Sequence, residues 1–286
     1  MSKDKLNPEN SDDFHFPDNK LYDNEYIIIK SDIIPEKNKS NDMDWSNLKP
    51  INTSTIKSVD FPSSKYYSEK YTKNQIVLHH TVSNPNSIEG DINHWLSMTD
   101  RIATCMVVGG KGDANQCFSS SFWAHHLGVK STFLKSMNFS DYAKRNTTLN
   151  RESIAIEIDN WGGLILGNGL PVKFGEKTIT TISGKYYTAY GNTVDTEVQE
   201  YPDGYKGYKF YQKYTTEQIR TVGELLLFWN VKFGIPLNYN EDMWNVSRDA
   251  LSGEPGVWTH TSYRMDKSDC HPQPEFIEML KSLKDL

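Results

Sequence analysis

The run Gln75-Ile76-Val77-Leu78-His79-His80-Thr81 ends a short apolar stretch in two adjacent imidazoles. A second cluster, Trp258-Thr259-His260, stands far downstream and is followed by Lys267, Asp269, Cys270 and His271. A catalytic zinc takes three protein ligands and keeps a fourth position open. Segments so distant in sequence can serve one ion only in a fold that lays them side by side, so the pattern demands long-range pairing and points to a zinc hydrolase. Side chains alternate across a strand. Only one of His79 and His80 can therefore face the ion, with His260 as second ligand and Asp269 or Cys270 as third.

The bulk properties narrow the choice of partner. The chain has 286 residues, a formal net charge of −6, 16 Tyr and 7 Trp. No basic tract is long enough to follow a phosphate backbone, which argues against nucleic acid. No apolar stretch is long enough to span a membrane, and Met1-Ser2-Lys3-Asp4-Lys5 has no apolar segment behind it, so no export signal is expected. Three cysteines, Cys105, Cys117 and Cys270, do not make a disulfide framework. Free thiols are expected, with a Cys105–Cys117 bridge as the other arrangement. A monomer is expected.

Residues 1–65 are rich in Asn, Asp, Lys, Ser and Pro and read as an extended arm or linker, with Tyr26-Ile27-Ile28-Ile29 as a candidate edge strand. Residues 66–286 read as the catalytic domain. Strands are predicted over 75–80, 104–109, around Cys117-Phe118 and over Ser153–Asp159. A helix is predicted over 87–98, where Ile88, Ile92, Trp95 and Leu96 share one face. Residues 160–213, with Gly-rich turns and runs such as Tyr186-Tyr187-Thr188-Ala189-Tyr190, read as a β-rich insertion. The helix 216–233 opens on a Thr215/Gln218 capping box, carries an Ile219–Trp229 apolar stripe, and stops at Gly234 and Pro236. A last helix starts near Pro274. The class is α/β: a central mixed β-sheet flanked by α-helices, with a β-rich insertion.

Four stretches, in this order, resemble the zinc-dependent N-acetylmuramoyl-L-alanine amidases, the family that includes the peptidoglycan recognition proteins and the phage lysozyme-amidases. Ile76–Thr81 resembles the first-ligand strand. Ala124-His125-His126-Leu127-Gly128 is similar to a pocket segment. Ser153-Ile154-Ala155-Ile156-Glu157 is similar to the strand that carries the catalytic carboxylate. His260 with Lys267-Ser268-Asp269 resembles the second ligand and the Lys-x-Asp or Lys-x-Cys that follows it. The resemblance implies His79 and His260 as zinc ligands. Counting from Lys267 gives Asp269 as the third; choosing by residue identity gives Cys270. Register favours Asp269, and His271 stands where the Cys form of the motif has Pro.

Glu157 is the implied general base. A carboxylate in an apolar strand is costly to bury without a partner, so an ion pair with a core cation is its structural alternative. Lys267 is the implied electrophile, and His126 an implied substrate contact. His80, His94, His125 and His271 are expected to be structural, and Trp161 to line a groove or cap the core. Thr104 and Cys105 stand where the family often has Tyr or His; if the family's tyrosine belongs there, this chain lacks it, and the resemblance then favours Glu157 for the acid–base work.

The resemblance implies hydrolysis of the amide between the lactyl group of N-acetylmuramic acid and L-alanine, with peptidoglycan as partner and Zn2+ as cofactor. The alternatives are a non-catalytic peptidoglycan-binding module of the same fold and a zinc peptidase cutting within the stem peptide. The absence of a His-Glu-x-x-His run disfavours the peptidase. Without an export signal, such a hydrolase is cytoplasmic until released, or carried on a phage particle.

Overall fold

The computed structural model describes residues 44–284, so the segment Tyr26–Ile29 lies outside the described residues. The central sheet is built from β1 (Lys57–Ser58), β2 (Gln75–His80), β3 (Met106–Val108), β4 (Ala114–Gln116), β5 (Ser153–Ile158) and, near the end of the chain, β13 (Gly256–Thr259). Their spatial order is β1-β4-β3-β5-β2-β13. β2 pairs in parallel with both β5 and β13, whereas β3 and β4 are antiparallel. Every residue of β2 is buried. That is the environment in which a nearly continuous apolar run is stable, inside a parallel sheet covered on both faces.

The regular strands are shorter than the sequence suggests. Cys105 N still donates to Ala155 O, and Cys117 N to Cys105 O. These residues flank the sheet through single backbone bonds and are not part of its regular ladder. All three cysteines are free and buried.

Helices cover the sheet: α1 (Ile88–Ser97), α2 (Ser131–Ser136), α3 (Tyr142–Glu152), α4 (Thr216–Phe233), α5 (Arg248–Ser252) and α6 (Pro274–Ser282). The Thr215/Gln218 capping box forms as expected, and Gly234 closes α4 in the left-handed conformation at φ 70°. Val222, Leu225, Leu226 and Trp229 are fully buried, each contributing on the order of 2 kcal/mol.

Residues 44–65 do not run free of the domain. Trp45, Ile51 and Phe61 are buried in the common core, Ile51 N donates to Glu224 O of α4, and β1 pairs with β4. A side chain at Gly223 would begin 2.7 Å from Leu48 Cδ1 and 2.8 Å from Met279 Sδ, so this glycine lets the segment and α6 close onto α4. Three apolar residues spread through a polar stretch leave no periodic signal, which is why the segment reads as a linker.

Residues 160–213 form a second layer of structure, β-rich as expected. β6 (Gly163–Leu166), β9 (Tyr186–Tyr187), β10 (Thr193–Val194), β11 (Val198–Tyr205) and β12 (Tyr208–Gln212) make an antiparallel sheet in the order β10-β9-β6-β12-β11. β7 (Pro171–Phe174) and β8 (Lys177–Thr180) form a separate hairpin. Tyrosines fasten this sheet to the core. Tyr201 OH lies 2.9 Å from His271 Nδ1, and Tyr205 OH lies 3.0 Å from Trp244 O and 3.1 Å from Cys270 O.

Candidate metal centre

Two parallel ladders build the site. β13 lies beside β2 in the register Thr259↔Leu78, which brings His260, the next residue, to His79. β5 lies on the other side of β2 in the register His79↔Glu157. Directly paired residues project from the same face, so His79 and Glu157 are neighbours by construction. Asp269 returns after a short excursion, its carbonyl accepting from Thr261 N.

Three ligand atoms converge. His79 Nδ1 lies 3.0 Å from His260 Nδ1 and 3.2 Å from Asp269 Oδ2, and His260 Nδ1 lies 3.0 Å from that same oxygen. These spacings approach the roughly 3.3 Å between ligand atoms of a tetrahedral zinc. All three residues are buried. Burial, only partly opposed by Asp269, lowers the His260 pKa to about 4, so its ring is neutral near pH 7 and carries one proton. His260 Nε2 lies 2.9 Å from Leu127 O, and a carbonyl oxygen can only accept. The proton is therefore on Nε2, and the bare Nδ1 faces a carboxylate. A bare imidazole nitrogen against an ionised carboxylate repels unless a cation lies between them. These three side chains could hold a metal ion, and no other such cluster occurs among the described residues.

Of the two candidates for a third ligand, Asp269 is the one whose carboxylate joins the cluster. Asp269 belongs to the centre. Cys270, one residue on, turns to Tyr214, and burial followed by the charge of Asp269 pushes its thiol well above the ordinary range.

Glu157 is half-buried, and its Oε2 is enclosed with no hydrogen-bond partner among the described residues. Burial, followed by the charges of Asp269, Asp91 and Asp159, raises its pKa well above the ordinary value, while Lys267 pulls the other way. Lys267 is half-buried, and its pKa is lowered by burial against the pull of Asp269. Each thus feels the charge of the other across the centre.

Both ring nitrogens of His126 are occupied: Nδ1 lies 3.0 Å from His79 Nε2, and Nε2 lies 2.8 Å from Ser153 Oγ. No ring nitrogen is left over for substrate. His80 points the opposite way, as strand alternation requires, with Nδ1 2.9 Å from Tyr214 OH. His271 stacks on Tyr214 and Tyr211. His94 is exposed on α1, and His125 stands edge-on to Tyr67 and Trp123. Trp161 is half-buried, with its N–H donating to Gln212 Oε1. Sequence reading missed Asn150, whose Oδ1 accepts from both His126 N and Leu127 N; a buried Asn on a polar helix gives no signal. It also missed Ser153, which strand alternation places on the face of Glu157.

A family model described as N-acetylmuramoyl-L-alanine amidase matches residues 69–274. Among solved structures, PlyL is similar at 15% identity over 79% of this chain and 95% of its own, with a TM-score of 0.40. The N-acetylmuramoyl-L-alanine amidase LysC from Clostridium intestinale URNW is similar at 12% identity over 78% and 93%, with a TM-score of 0.40. A selenomethionine derivative of AmpD is similar at 11% identity over 79% and 94%, with a TM-score of 0.38. No curated protein matches the chain.

Proposed function

This chain belongs to the N-acetylmuramoyl-L-alanine amidase family and is a peptidoglycan amidase; from that premise we propose that it cuts the bond between the lactyl group of N-acetylmuramic acid and L-alanine with a zinc ion held by His79, His260 and Asp269. The observation that carries this reading is the convergence of two imidazole Nδ1 atoms and one carboxylate oxygen beside Glu157.

The donor set of two nitrogens and one oxygen is a catalytic zinc set with a position left open. Zinc, when bound, supplies Lewis-acid activation of water and of the scissile carbonyl. The chain's own residues do the rest. Glu157, its pKa raised by burial, takes a proton from the attacking water at its carboxylate and gives it to the departing amine. The Lys267 ammonium stabilises the oxyanion that develops on the carbonyl oxygen.

No helix among the described residues is long and apolar enough to cross a membrane. A formal net charge of −6 gives no pull toward an anionic wall, and we assign recognition to the catalytic groove or the insertion. We place the enzyme among the phage lysins, acting on the wall after release, as a monomer.

The test is metal analysis of the purified protein combined with mass spectrometry of digested sacculi. About one zinc per chain is expected, with stem peptides that begin at a free L-alanine. Products cut inside the stem peptide, or a metal-free protein that binds muropeptides without turnover, would replace this reading with one of the two alternatives.

A further inference from the structure

We infer that His126, Ser153 and Asn150 form a positioning layer that sets the metal-binding tautomer of His79 before any ion arrives. The inference rests on the ligand set proposed above and goes beyond it.

The polarity of the chain is fixed at its far end. Ser153 Oγ lies 2.6 Å from Leu149 O, and a carbonyl cannot donate. The serine hydroxyl therefore spends its single proton there. It must accept from His126 Nε2, 2.8 Å away. The neutral His126 ring then carries its proton on Nε2, so its Nδ1 is an acceptor. His79 Nε2, 3.0 Å from that Nδ1, must donate, so its proton is held at Nε2 and Nδ1 is the ring nitrogen turned to Asp269 and His260. A main-chain carbonyl three hydrogen bonds away thus decides which nitrogen of His79 is free.

The same segment serves the second ligand. Leu127 O accepts from His260 Nε2, so two consecutive residues, His126 and Leu127, orient the two imidazole ligands. Asn150 holds both, its Oδ1 accepting from His126 N at 2.7 Å and Leu127 N at 3.1 Å. Its Nδ2 donates to Asn146 O at 2.6 Å. Asn150 is fully buried and sits in α3, the helix that leads directly into β5. The segment that orients the ligands and the strand that carries Glu157 thus hang on one helix end. Partners of this kind typically change metal affinity by 10–100-fold when removed.

The experiment compares wild type, Ser153→Ala, His126→Phe and His126→Asn by zinc competition against a chromogenic chelator. Circular dichroism and melting of each metal-free protein run alongside. Ser153→Ala and His126→Phe are expected to weaken zinc binding by about 10–100-fold. His126→Asn, whose amide oxygen can take the place of the ring Nδ1, is expected to recover most of that loss. A purely structural role would leave Asn no better than Phe. Wild-type affinity in both Ser153→Ala and His126→Phe would overturn the inference. Long-range proton–nitrogen spectra of metal-free wild type decide the matter even where a variant fails to fold. They should show His79 protonated at Nε2, and a His79 ring protonated only at Nδ1 sinks the relay. Failure of wild type to bind zinc at all would instead sink the ligand set, so the two failures are distinguishable.

Discussion

Two histidine clusters lie back to back across β2, and comparing them shows what sets a candidate metal ligand apart from a structural histidine. On one face stand His79, His260 and His126; on the other, His80 and His271. Residue type does not separate them, nor does burial: His79, His80, His260 and His271 are all buried. Burial first of all lowers the pKa of both His80 and His260 to about 4. The clusters differ in what surrounds them. Behind the strand, the partners are tyrosine hydroxyls and backbone groups: Tyr214 for His80, Tyr201 and Gln212 O for His271. His271 has both ring nitrogens paired, one accepting and one donating, whereas His80 Nε2 has no hydrogen-bond partner among the described residues and faces no carboxylate. In front, carbonyls and a relay claim the outer nitrogens, and the inner ones face a carboxylate with no donor between them. That leftover concentration of acceptors is what a cation can answer.

The sharpest way to break the comparison is to delete one histidine from each face. His79→Ala is expected to lose bound zinc and to drop amidase activity to background, as should Asp269→Ala. His80→Ala should keep its zinc and lose only stability, by about 2–4 kcal/mol. Metal content and melting temperature check both. Loss of zinc in His80→Ala with retention in His79→Ala would invert the assignment. Cys270→Ala is a companion control, expected to retain zinc because the thiol turns to the rear.

Next in size is Glu157→Gln. It keeps the shape and removes the proton acceptor, so kcat on sacculi should fall by about 10²–10⁴-fold with zinc content unchanged. A Gln variant of near-normal kcat would move the acid–base role elsewhere on the front face.

A smaller effect on activity, but a large one on the fold, is expected at the rear, where α4 packs. Leu226 is fully buried, and Leu226→Asp should destabilise by at least about 4 kcal/mol. A soluble, normally melting variant would contradict the placement of that helix. The mildest change is Tyr205→Phe. It removes the hydroxyl that reaches Trp244 O and Cys270 O and should cost about 1 kcal/mol in chemical denaturation; a change of several kcal/mol would mean the insertion is more than an appended layer.

Much of the front face was legible in the sequence because strand alternation and register are arithmetic. Alternation allows only one of His79 and His80 to face His260, and counting from Lys267 reaches Asp269, the carboxylate that joins them. Both follow from period-2 side chains and fixed spacing. The central strand, the capped helix α4 and the β-rich character of 160–213 were legible for the same reason, since each is a local pattern. What stayed hidden depends on tertiary partners. The role of His126 is set by Ser153, and that of Asn150 by backbone donors in another segment. Helix α3 has only Leu149 and Asn150 buried, so it shows no apolar stripe. Trp45, Ile51 and Phe61 are too scattered to announce that residues 44–65 belong to the core.

The tyrosine anchors of the insertion have a consequence for anyone trimming this enzyme to a minimal size. Residues 160–213 resemble a detachable module in the sequence, and a designer would excise them first. Yet Tyr205 grips the carbonyl of the residue right after Asp269, and Tyr201 grips the imidazole after that. Cutting the module out would leave His79, His260 and Asp269 in the gene while freeing the stretch that presents Asp269, so the shortened protein would keep its signature and lose the geometry of the cluster.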